Sequence, residues 1–303
     1  MTYSLLARDP ETGAIGVGVQ SHFFGVGRLV GWLESGLGGV ATQAFVDVSY
    51  GPRGLDQLRS GVSADATLET LLKSDDLKAY RQVAVVDAEG QVASFTGDRC
   101  VPSAGSRKGE HAVAQGNMLA ADKVYESMID AFEASTAPFP ERILAALRAA
   151  EDAGGDARGS QSAMLRVVSG RRSSAPWEEV LMDVRVDDHL DPIGELTRLV
   201  AMHRAFDSIG DVLFAPRIMM GAYENVAPDE LDAALAALEG ARQPLGDNQE
   251  AAFWKAVLLA RAGQVAAAEA LFAEVFASAP HLRGYLSSIA EVGFIDTTQL
   301  QLA

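Results

Sequence analysis

The spacing of apolar residues changes near Pro192, and this change limits the possible architecture more than any other feature. Before Pro192, apolar residues alternate with small or polar ones, as Ile15 and Val17 do. Alternation is typical of β-strands, because successive side chains point to opposite faces. After Pro192, apolar residues recur every three or four positions, which is helical spacing. We therefore predict a sheet-containing domain over 1–191 and an all-α extension over 192–303.

The first strands are predicted to form a hairpin at the N-terminus. Residues 3–8 and 14–20 flank Asp9-Pro10-Glu11-Thr12-Gly13, a turn in which Pro fixes φ and Gly accepts a positive φ. This first part mixes strands with helices and so indicates an α+β fold with layered antiparallel sheets. Further strands are predicted at 38–44, 82–87, 91–96, 161–169 and 180–187, and helices at 64–73, 120–134 and 140–153.

The C-terminal extension contains a segment that resembles one tetratricopeptide repeat. Gly263, Ala268, Phe272 and Pro280 stand where such a repeat keeps its turn glycine, small alanine, packing aromatic and closing proline. One repeat leaves part of its apolar face uncovered, so we expect the extension to dock on the main domain or on a partner. Its helices are predicted at 193–206, 228–241, 249–262 and 265–277.

Composition and charge argue against several functions. The chain has 41 Asp and Glu against 25 Lys and Arg, a net charge of −16, which disfavours nucleic-acid binding because phosphate contacts need basic side chains. No uncharged run reaches the roughly 18 apolar residues of a membrane helix, and the first residues do not resemble a signal peptide. Cys100 is the only cysteine, which excludes an intramolecular disulfide and a cysteine-based zinc site. A cytoplasmic location is therefore expected.

Motifs for metals and cofactors are weak. The five histidines are not at metal-ligand spacing. Gly25-Val26-Gly27-Arg28-Leu29-Val30-Gly31 differs from a dinucleotide-binding loop because its third glycine is one position late. Acidic neighbours such as Asp75-Asp76 point apart in regular structure and so do not form an acid–base pair. We predict no metal and no cofactor.

Thr2 is the candidate nucleophile that the residues themselves suggest. A strand begins directly after Met1, and removal of Met1 would leave a hydroxyl and a free α-amine on one residue. An α-amine has an ordinary pKa of about 7.7–8.0, so part of it is neutral near pH 7. The amine can then take the hydroxyl proton, which is the threonine form of an activated nucleophile.

Several colinear blocks resemble the bacterial family catalogued as domain of unknown function 1028. The first is the opening sequence, Met1 to Gly13. Together the blocks cover roughly residues 1–190, and several in order are more specific than any single motif. The others are Gln20-Ser21-His22-Phe23-Phe24, Gly39-Val40-Ala41-Thr42-Gln43-Ala44, Ser49-Tyr50-Gly51-Pro52-Arg53-Gly54-Leu55, Arg81-Gln82-Val83-Ala84-Val85-Val86-Asp87, Gln115-Gly116-Asn117-Met118-Leu119 and Gly154-Gly155-Asp156-Ala157-Arg158-Gly159-Ser160-Gln161-Ser162-Ala163.

The resemblance implies a fold. The family is placed in the N-terminal-nucleophile (Ntn) hydrolase superfamily, whose fold is a four-layer αββα sandwich of two antiparallel sheets. The helices after Pro192 are similar to an extension of some members that is labelled a peptidoglycan-binding domain.

The resemblance also implies site residues. It makes Thr2 the nucleophile and its amine the general base. Hairpin pairing is expected to bring Ser21 near that amine, and a backbone N–H of Gly116 with the side-chain amide of Asn117 would bind the oxyanion. The expected catalytic residues are Thr2, Ser21, Asn117 and Asp156, and the expected substrate-binding residues are Gly116, Arg158, Gln161 and Ser162.

Three functions remain open from the sequence. The first is hydrolysis of an amide bond in a small molecule or peptide. The second is a non-catalytic binding protein on the same fold, whose helical extension binds peptides or cell-wall fragments. The third is an assembly partner that forms a homo-oligomer. The hydrolase hypothesis lacks one feature that the resemblance leads us to expect, a buried lysine beside the nucleophile. Lys73 and Lys78 are the lysines nearest to Thr2 in sequence, and they lie on or beside a predicted surface helix.

Overall fold

The computed structural model describes residues 2–302, and the chain divides into two compact units, Met1–Thr197 and Arg198–Ala303. The first unit contains two antiparallel sheets. Sheet A has six strands in the order β10-β9-β2-β1-β8-β7, and sheet B has four in the order β3-β4-β5-β6. The strands are β1 (Thr2–Arg8), β2 (Ile15–Ser21), β3 (Gly31–Glu34), β4 (Gly38–Ala44), β5 (Arg81–Asp87), β6 (Val92–Thr96), β7 (Gly105–Gly109), β8 (Ala112–Asn117), β9 (Ser162–Val168) and β10 (Val180–Val186).

The two sheets pack face to face over an apolar core. Alternation places every second residue of β1 and β2 on this face, as the sequence pattern predicts. Leu6 and Val17 of sheet A share one buried cluster with Ala41, Ala84 and Val86 of sheet B. Burial of these side chains supplies the main favourable free energy of folding for this unit.

Two helices cover the outer face of each sheet. Helices α1 (Tyr50–Arg59) and α2 (Ala64–Lys73) contact sheet B, and α3 (Val124–Ala134) and α4 (Phe139–Asp152) contact sheet A. Helix α4 approaches β2 closely because Gly18 carries no side chain. A Cβ at Gly18 would stand 2.5 Å from the Cγ2 of Ile143, which is too close for either atom to stay in place.

The second unit is helical. Helix α5 (Pro192–Leu213) crosses the division between the units and leads into α6 (Pro228–Leu245), α7 (Glu250–Arg261), α8 (Val265–Ser278) and α9 (Leu282–Glu291). Phe253, Phe272 and Trp254 lie in the buried cluster of this unit. Gly263 has a φ of +73° between α7 and α8, a conformation that glycine adopts without strain.

The sequence prediction of antiparallel sheets followed by helices is confirmed at that level. Three strands, β3, β7 and β8, and two helices, α1 and α9, were not predicted. Helix α1 was missed because Gly51, Pro52 and Gly54 indicate a turn. Tertiary packing overrides that preference, since a Cβ at Gly51 would meet the Trp32 ring at 2.2 Å. Within residues 2–302, no helix is long and apolar enough to cross a membrane.

Candidate functional site

Polar side chains form a row across sheet A where β1 begins. In the strand registers, Ser162 pairs with Ser21 and Thr2 pairs with Asn117. The Oγ1 of Thr2 donates a hydrogen bond to the Oγ of Ser21 over 3.1 Å. The row therefore runs Ser162, Ser21, Thr2, Asn117 over four neighbouring strands, and we call this part of the molecule the Thr2 end.

The Thr2 end contains a small pocket between the sheets. The pocket has a volume of about 80 Å³ and is lined by Thr2, Ser21 and Gln43 on its polar side. Thr2 itself is 7% exposed. The remaining wall is mostly apolar and comprises Phe23, Val26, Leu29, Val30, Ala44 and Val46. Thr2 and Ser21 thus form part of the polar wall of a small pocket.

Buried amide side chains fix the backbone of Thr2. The Nε2 of Gln43, on sheet B, donates to the carbonyl oxygen of Thr2 over 3.2 Å and to the Oε1 of Gln82 over 2.8 Å. The Nδ2 of Asn117 donates to the same Oε1 over 3.0 Å and lies 3.5 Å from the Thr2 carbonyl. The Oγ of Ser4 donates to Gln43, and Gln115 donates to Ser4. We call Ser4, Gln43, Gln82, Gln115 and Asn117 the amide network.

The amide network carries no formal charge, although its side chains are at most 2% exposed. A buried charge is costly unless it is paired, whereas a buried amide needs only hydrogen-bond partners. The four lysines of the first unit, Lys73, Lys78, Lys108 and Lys123, are all exposed. The polar contacts that surround Thr2 therefore come mainly from neutral groups.

Asp156 is the buried carboxylate at this end of the sheet. Its Oδ2 accepts the backbone N–H of His22, the residue after Ser21, over 2.9 Å. Its Oδ1 accepts the N–H of Arg158, and the two side chains form an ion pair at 3.3 Å. The Asp156 side chain is fully buried, while that of Arg158 is 37% exposed. Arg158 therefore lies between the carboxylate and solvent.

The other sequence-predicted residues make contacts of their own. Gly116 is inside β8, paired with Tyr3, and its carbonyl accepts the Nε2 of Gln82 over 2.7 Å. Ser162 is buried, and its Oγ donates to the carbonyl of Phe23 and accepts the N–H of Val26. Gln161 donates to Asp188 near the surface. Ser162 thus supports the loop that lines the pocket.

Sequence reasoning missed Gln43 and Gln82 as site residues. Gln43 is the second-last residue of β4 and Gln82 the second residue of β5, and Gln20 is likewise the second-last residue of β2. An amide in a buried strand must find hydrogen-bond partners. The recurrence of glutamine near strand ends was the sequence signal for these residues, although it does not show which amide side chains contact one another.

The opposite side of β1 carries a separate buried pair. The Tyr3 hydroxyl donates to the Oε2 of Glu151 over 2.6 Å. Burial, followed by the negative charge of Glu151, raises the pKa of Tyr3 well above its usual value. This phenol therefore stays protonated and ties β1 to α4. Among the residues that the structure describes, no group of three or more His, Cys, Asp or Glu is arranged to hold a metal ion.

Comparison with known families decides the relationship. Residues 2–196 match the family of unknown function DUF1028. The chain belongs to the DUF1028 family. A crystal structure of another DUF1028 protein, from Silicibacter pomeroyi, is 36% identical, with a TM-score of 0.60 over 66% of this chain and 84% of that chain.

The remaining comparisons add little to the DUF1028 assignment. Anbu (ancestral beta-subunit) from Yersinia bercovieri is 12% identical, with a TM-score of 0.31 over 71% of this chain and 98% of that chain. A similarity at that level carries no argument about fold or function. No curated protein matches the chain.

Proposed function

We propose that this protein is an Ntn-type hydrolase that cleaves an amide bond with Thr2 after removal of Met1. The observation that supports this most directly is the position of the Thr2 hydroxyl. Thr2 begins the first strand, and its hydroxyl donates a hydrogen bond to Ser21. Both residues line the small pocket between the two sheets. The two antiparallel sheets with helices on both outer faces support this proposal, because the Ntn fold that we infer is an αββα sandwich. Met1 itself lies outside the described residues.

The proposed reaction uses both groups of Thr2. The neutral α-amine takes the hydroxyl proton, directly or through one water, while Oγ1 attacks the amide carbon. The resulting tetrahedral intermediate collapses, the amine returns the proton to the leaving nitrogen, and an acyl ester remains on Thr2. Water then hydrolyses the ester by the same steps and releases the acid.

The surrounding residues position Thr2 in this scheme. Gln43 and Asn117 hold its carbonyl and so limit rotation of the residue, which reduces the entropic cost of reaching the attack geometry. The side-chain amide of Asn117, whose Nδ2 lies 3.5 Å from the Thr2 carbonyl, is the donor that we assign to the oxyanion. Ser21 directs the hydroxyl, and Asp156 with Arg158 orients the amine from the same end of the sheet. The backbone N–H of Gly116, next to Asn117 on β8, is the second donor that we propose for the oxyanion.

The pocket limits the substrate. A volume of about 80 Å³ with an apolar wall fits a small acyl group better than a charged one. Phe23 lines this pocket, and Phe45 follows the lining residue Ala44 in sequence. The two side chains are 47% and 58% exposed, so the leaving part of the substrate would meet apolar surface. We therefore propose a small molecule or peptide with a small apolar acyl side as the substrate.

The first test is the intact mass of protein expressed without an N-terminal tag. The proposal requires the mass to lack one methionine. Incubation with an amine-unreactive β-lactone should then add one acyl group, and peptide mapping should place it on Thr2. Thr2→Ala should abolish the addition. Thr70→Ala, which removes an exposed hydroxyl on α2, should leave it unchanged. Retained Met1, or equal labelling of Thr2→Ala, would reject the mechanism.

A second candidate is a non-catalytic binding protein on the same fold. The observation in its favour is the exposure of all four lysines in the first unit, so that none of them is a buried lysine of the kind expected to activate the nucleophile. In that case Thr2→Ala would retain ligand binding, and no turnover would be found with either form. Binding of peptides or cell-wall fragments by the helical extension belongs to this second candidate. Whichever candidate holds, we also propose a tetratricopeptide-like extension, a homo-oligomeric state and a cytoplasmic location.

A further inference from the structure

A large cavity of the first unit lies at the opposite end of β1, about 20 Å of strand away from Thr2. Its volume is about 800 Å³, within the range of small-molecule sites. The turn after β1, the start of α4 and the ends of β9 and β10 surround it, and we call it the Asp9 cavity. Its apolar walls include Pro10, Pro138, Phe139, Val167, Leu181 and Met182.

Arg142 presents hydrogen-bond donors in this cavity. Its guanidinium lies over the Phe132 ring at 4.2 Å, and its Nε donates to the Phe132 carbonyl over 3.3 Å. These two contacts fix the plane of the group. Within residues 2–302, its terminal nitrogens make no hydrogen bond, and the nearest carboxylate oxygen, of Asp9, is 3.8 Å away. The side chain is only 20% exposed, so bulk water solvates these donors poorly.

Asp9 presents an acceptor beside those donors. Its Oδ2 accepts the Thr12 hydroxyl over 2.6 Å. Its Oδ1 faces Arg142 at 3.8 Å, beyond hydrogen-bond distance, and accepts no hydrogen bond from the residues described. The Asp9 side chain is 10% exposed. A partly buried donor fork and a partly buried acceptor thus stand side by side, both with open hydrogen-bonding capacity.

We propose that the Asp9 cavity binds the free head group of an apolar α-amino acid. The ligand carboxylate accepts from the terminal nitrogens of Arg142, and the adjacent ammonium donates to Asp9. The two charges of an α-amino acid are on one carbon, so each reaches its partner across the short Asp9–Arg142 separation. The hydrocarbon side chain of the ligand then packs against Phe139 and the neighbouring apolar walls.

A ligand with both charges should bind here more tightly than a ligand that carries only the carboxylate or only the ammonium group. A carboxylate alone would bind Arg142 but approach the Asp9 oxygen without compensation. An amine alone would bind Asp9 but approach the Arg142 guanidinium. Like charges in a partly buried site oppose each other more strongly than in water. Only a ligand with both charges gives each of these two groups an oppositely charged partner within hydrogen-bond distance, and this site needs no contribution from Thr2.

Three probes that share one aromatic ring test the proposal. L-Phenylalanine carries both charges, 3-phenylpropionate lacks the amine, and 2-phenylethylamine lacks the carboxylate. Calorimetric titration of the full chain at pH 7 should show L-phenylalanine binding about tenfold or more tightly than either half. Equal affinities for the three probes, or binding of none of them, would overturn the proposal.

Two variants locate the binding. Asp9→Asn and Arg142→Gln should each weaken L-phenylalanine binding about tenfold or more. Asp9→Asn should leave 3-phenylpropionate unweakened, because that probe lacks the ammonium. Arg148→Gln, on the same helix but ion-paired with Asp191, is the matched control and should change nothing. Unchanged affinity in Asp9→Asn and Arg142→Gln would place the ligand elsewhere and reject the site. If a variant does not fold, the three-probe comparison on the wild-type chain still decides.

Discussion

The two ends of the β1–β2 hairpin are built from the same sheet but hold polar groups in different ways. At the Thr2 end, neutral amides bond to one another around a pocket of about 80 Å³. At the Asp9 end, a carboxylate and a guanidinium stand 3.8 Å apart at a cavity of about 800 Å³. The polar groups of the first end are neutral and bond mainly to one another, whereas those of the second carry opposite charges that stand beyond hydrogen-bond distance of each other.

This difference separates positioning from binding. Reaction at a nucleophile requires atoms held in fixed places, and a buried network of neutral groups does this without the desolvation cost of a buried ion. Recognition of a charged ligand requires groups that are still free to bond. We therefore expect substitutions at the Thr2 end to affect chemistry and stability, and substitutions at the Asp9 end to affect ligand affinity.

The largest expected effect is on amide hydrolysis. Thr2→Ala should lower turnover of an amide substrate at least about 1,000-fold, because the attacking atom is gone. Thr2→Ser should retain measurable activity, since it keeps a hydroxyl on the residue with the amine. Asp9→Asn should stay within about twofold of wild type. A large loss in Asp9→Asn with Thr2→Ala active would reverse the assignment of the two ends.

The next effect is on stability at the Thr2 end. Gln43→Leu removes the hydrogen-bond partner of Ser4, of Gln82 and of the Thr2 carbonyl. Gln43 is only 1% exposed, so water does not replace these bonds. We expect a loss of about 2–4 kcal/mol in the free energy of unfolding, because each buried polar group left unsatisfied costs about 1–3 kcal/mol. Urea titration followed by circular dichroism measures this.

The matched substitution at the other end is Thr12→Val. It removes the Thr12 hydrogen bond to Asp9, which is partly open to solvent. The expected loss is about 0.5–1 kcal/mol. Equal losses in Gln43→Leu and Thr12→Val would show that the amide network contributes no more than an ordinary surface hydrogen bond.

A smaller loss of stability is expected from alanine substitutions at two glycines of β2, against which α4 packs. A Cβ at Gly18 would meet Ile143 at 2.5 Å and Leu147 at 3.1 Å, and both side chains are fully buried. A Cβ at Gly16 would meet Ile143 at 2.5 Å and Phe139 at 2.9 Å, but Phe139 borders the Asp9 cavity and has room to shift. Gly18→Ala should therefore cost about 2 kcal/mol and Gly16→Ala about 1 kcal/mol or less. Thermal unfolding of the pair would check the order.

Much of the sandwich was predictable from sequence, because alternation and turn residues are local signals. The hairpin register follows from the turn at Asp9 to Gly13, and that register brings Ser21 to Thr2. The amide network was not predictable, since Gln43 and Gln82 come from sheet B and reach Thr2 only when the sheets stack. The Asp9 cavity was missed for a similar reason. Arg142 and Asp9 are 133 positions apart and meet through the packing of α4.

The smallest expected effect is a response to acid that is confined to the Asp9 end. Glu179 accepts hydrogen bonds from Arg171 and from Ser169, which borders the Asp9 cavity. Arg171, and then Ser169, hold the pKa of Glu179 below its usual value near 4.5. A lowered pKa in the folded state means that this contribution to stability is present above about pH 4.5 and is lost as the pH falls through the lower folded-state value.

Hydrogen exchange at individual amides resolves this response by region. Between pH 7 and pH 3, the protection factor of the Ser169 amide, which donates to the Glu179 carbonyl, should fall. Those of Gln43 and Gln82 should hold, because their side chains do not titrate. Glu179→Gln should remove most of the fall at Ser169, and Glu178→Gln, an exposed neighbour, should not. If the protection factor of Ser169 falls as much in Glu179→Gln as in the wild-type chain, the acid response belongs to another carboxylate. If the protection factor of Gln43 falls as much as that of Ser169 in the wild-type chain, the two ends open together rather than separately.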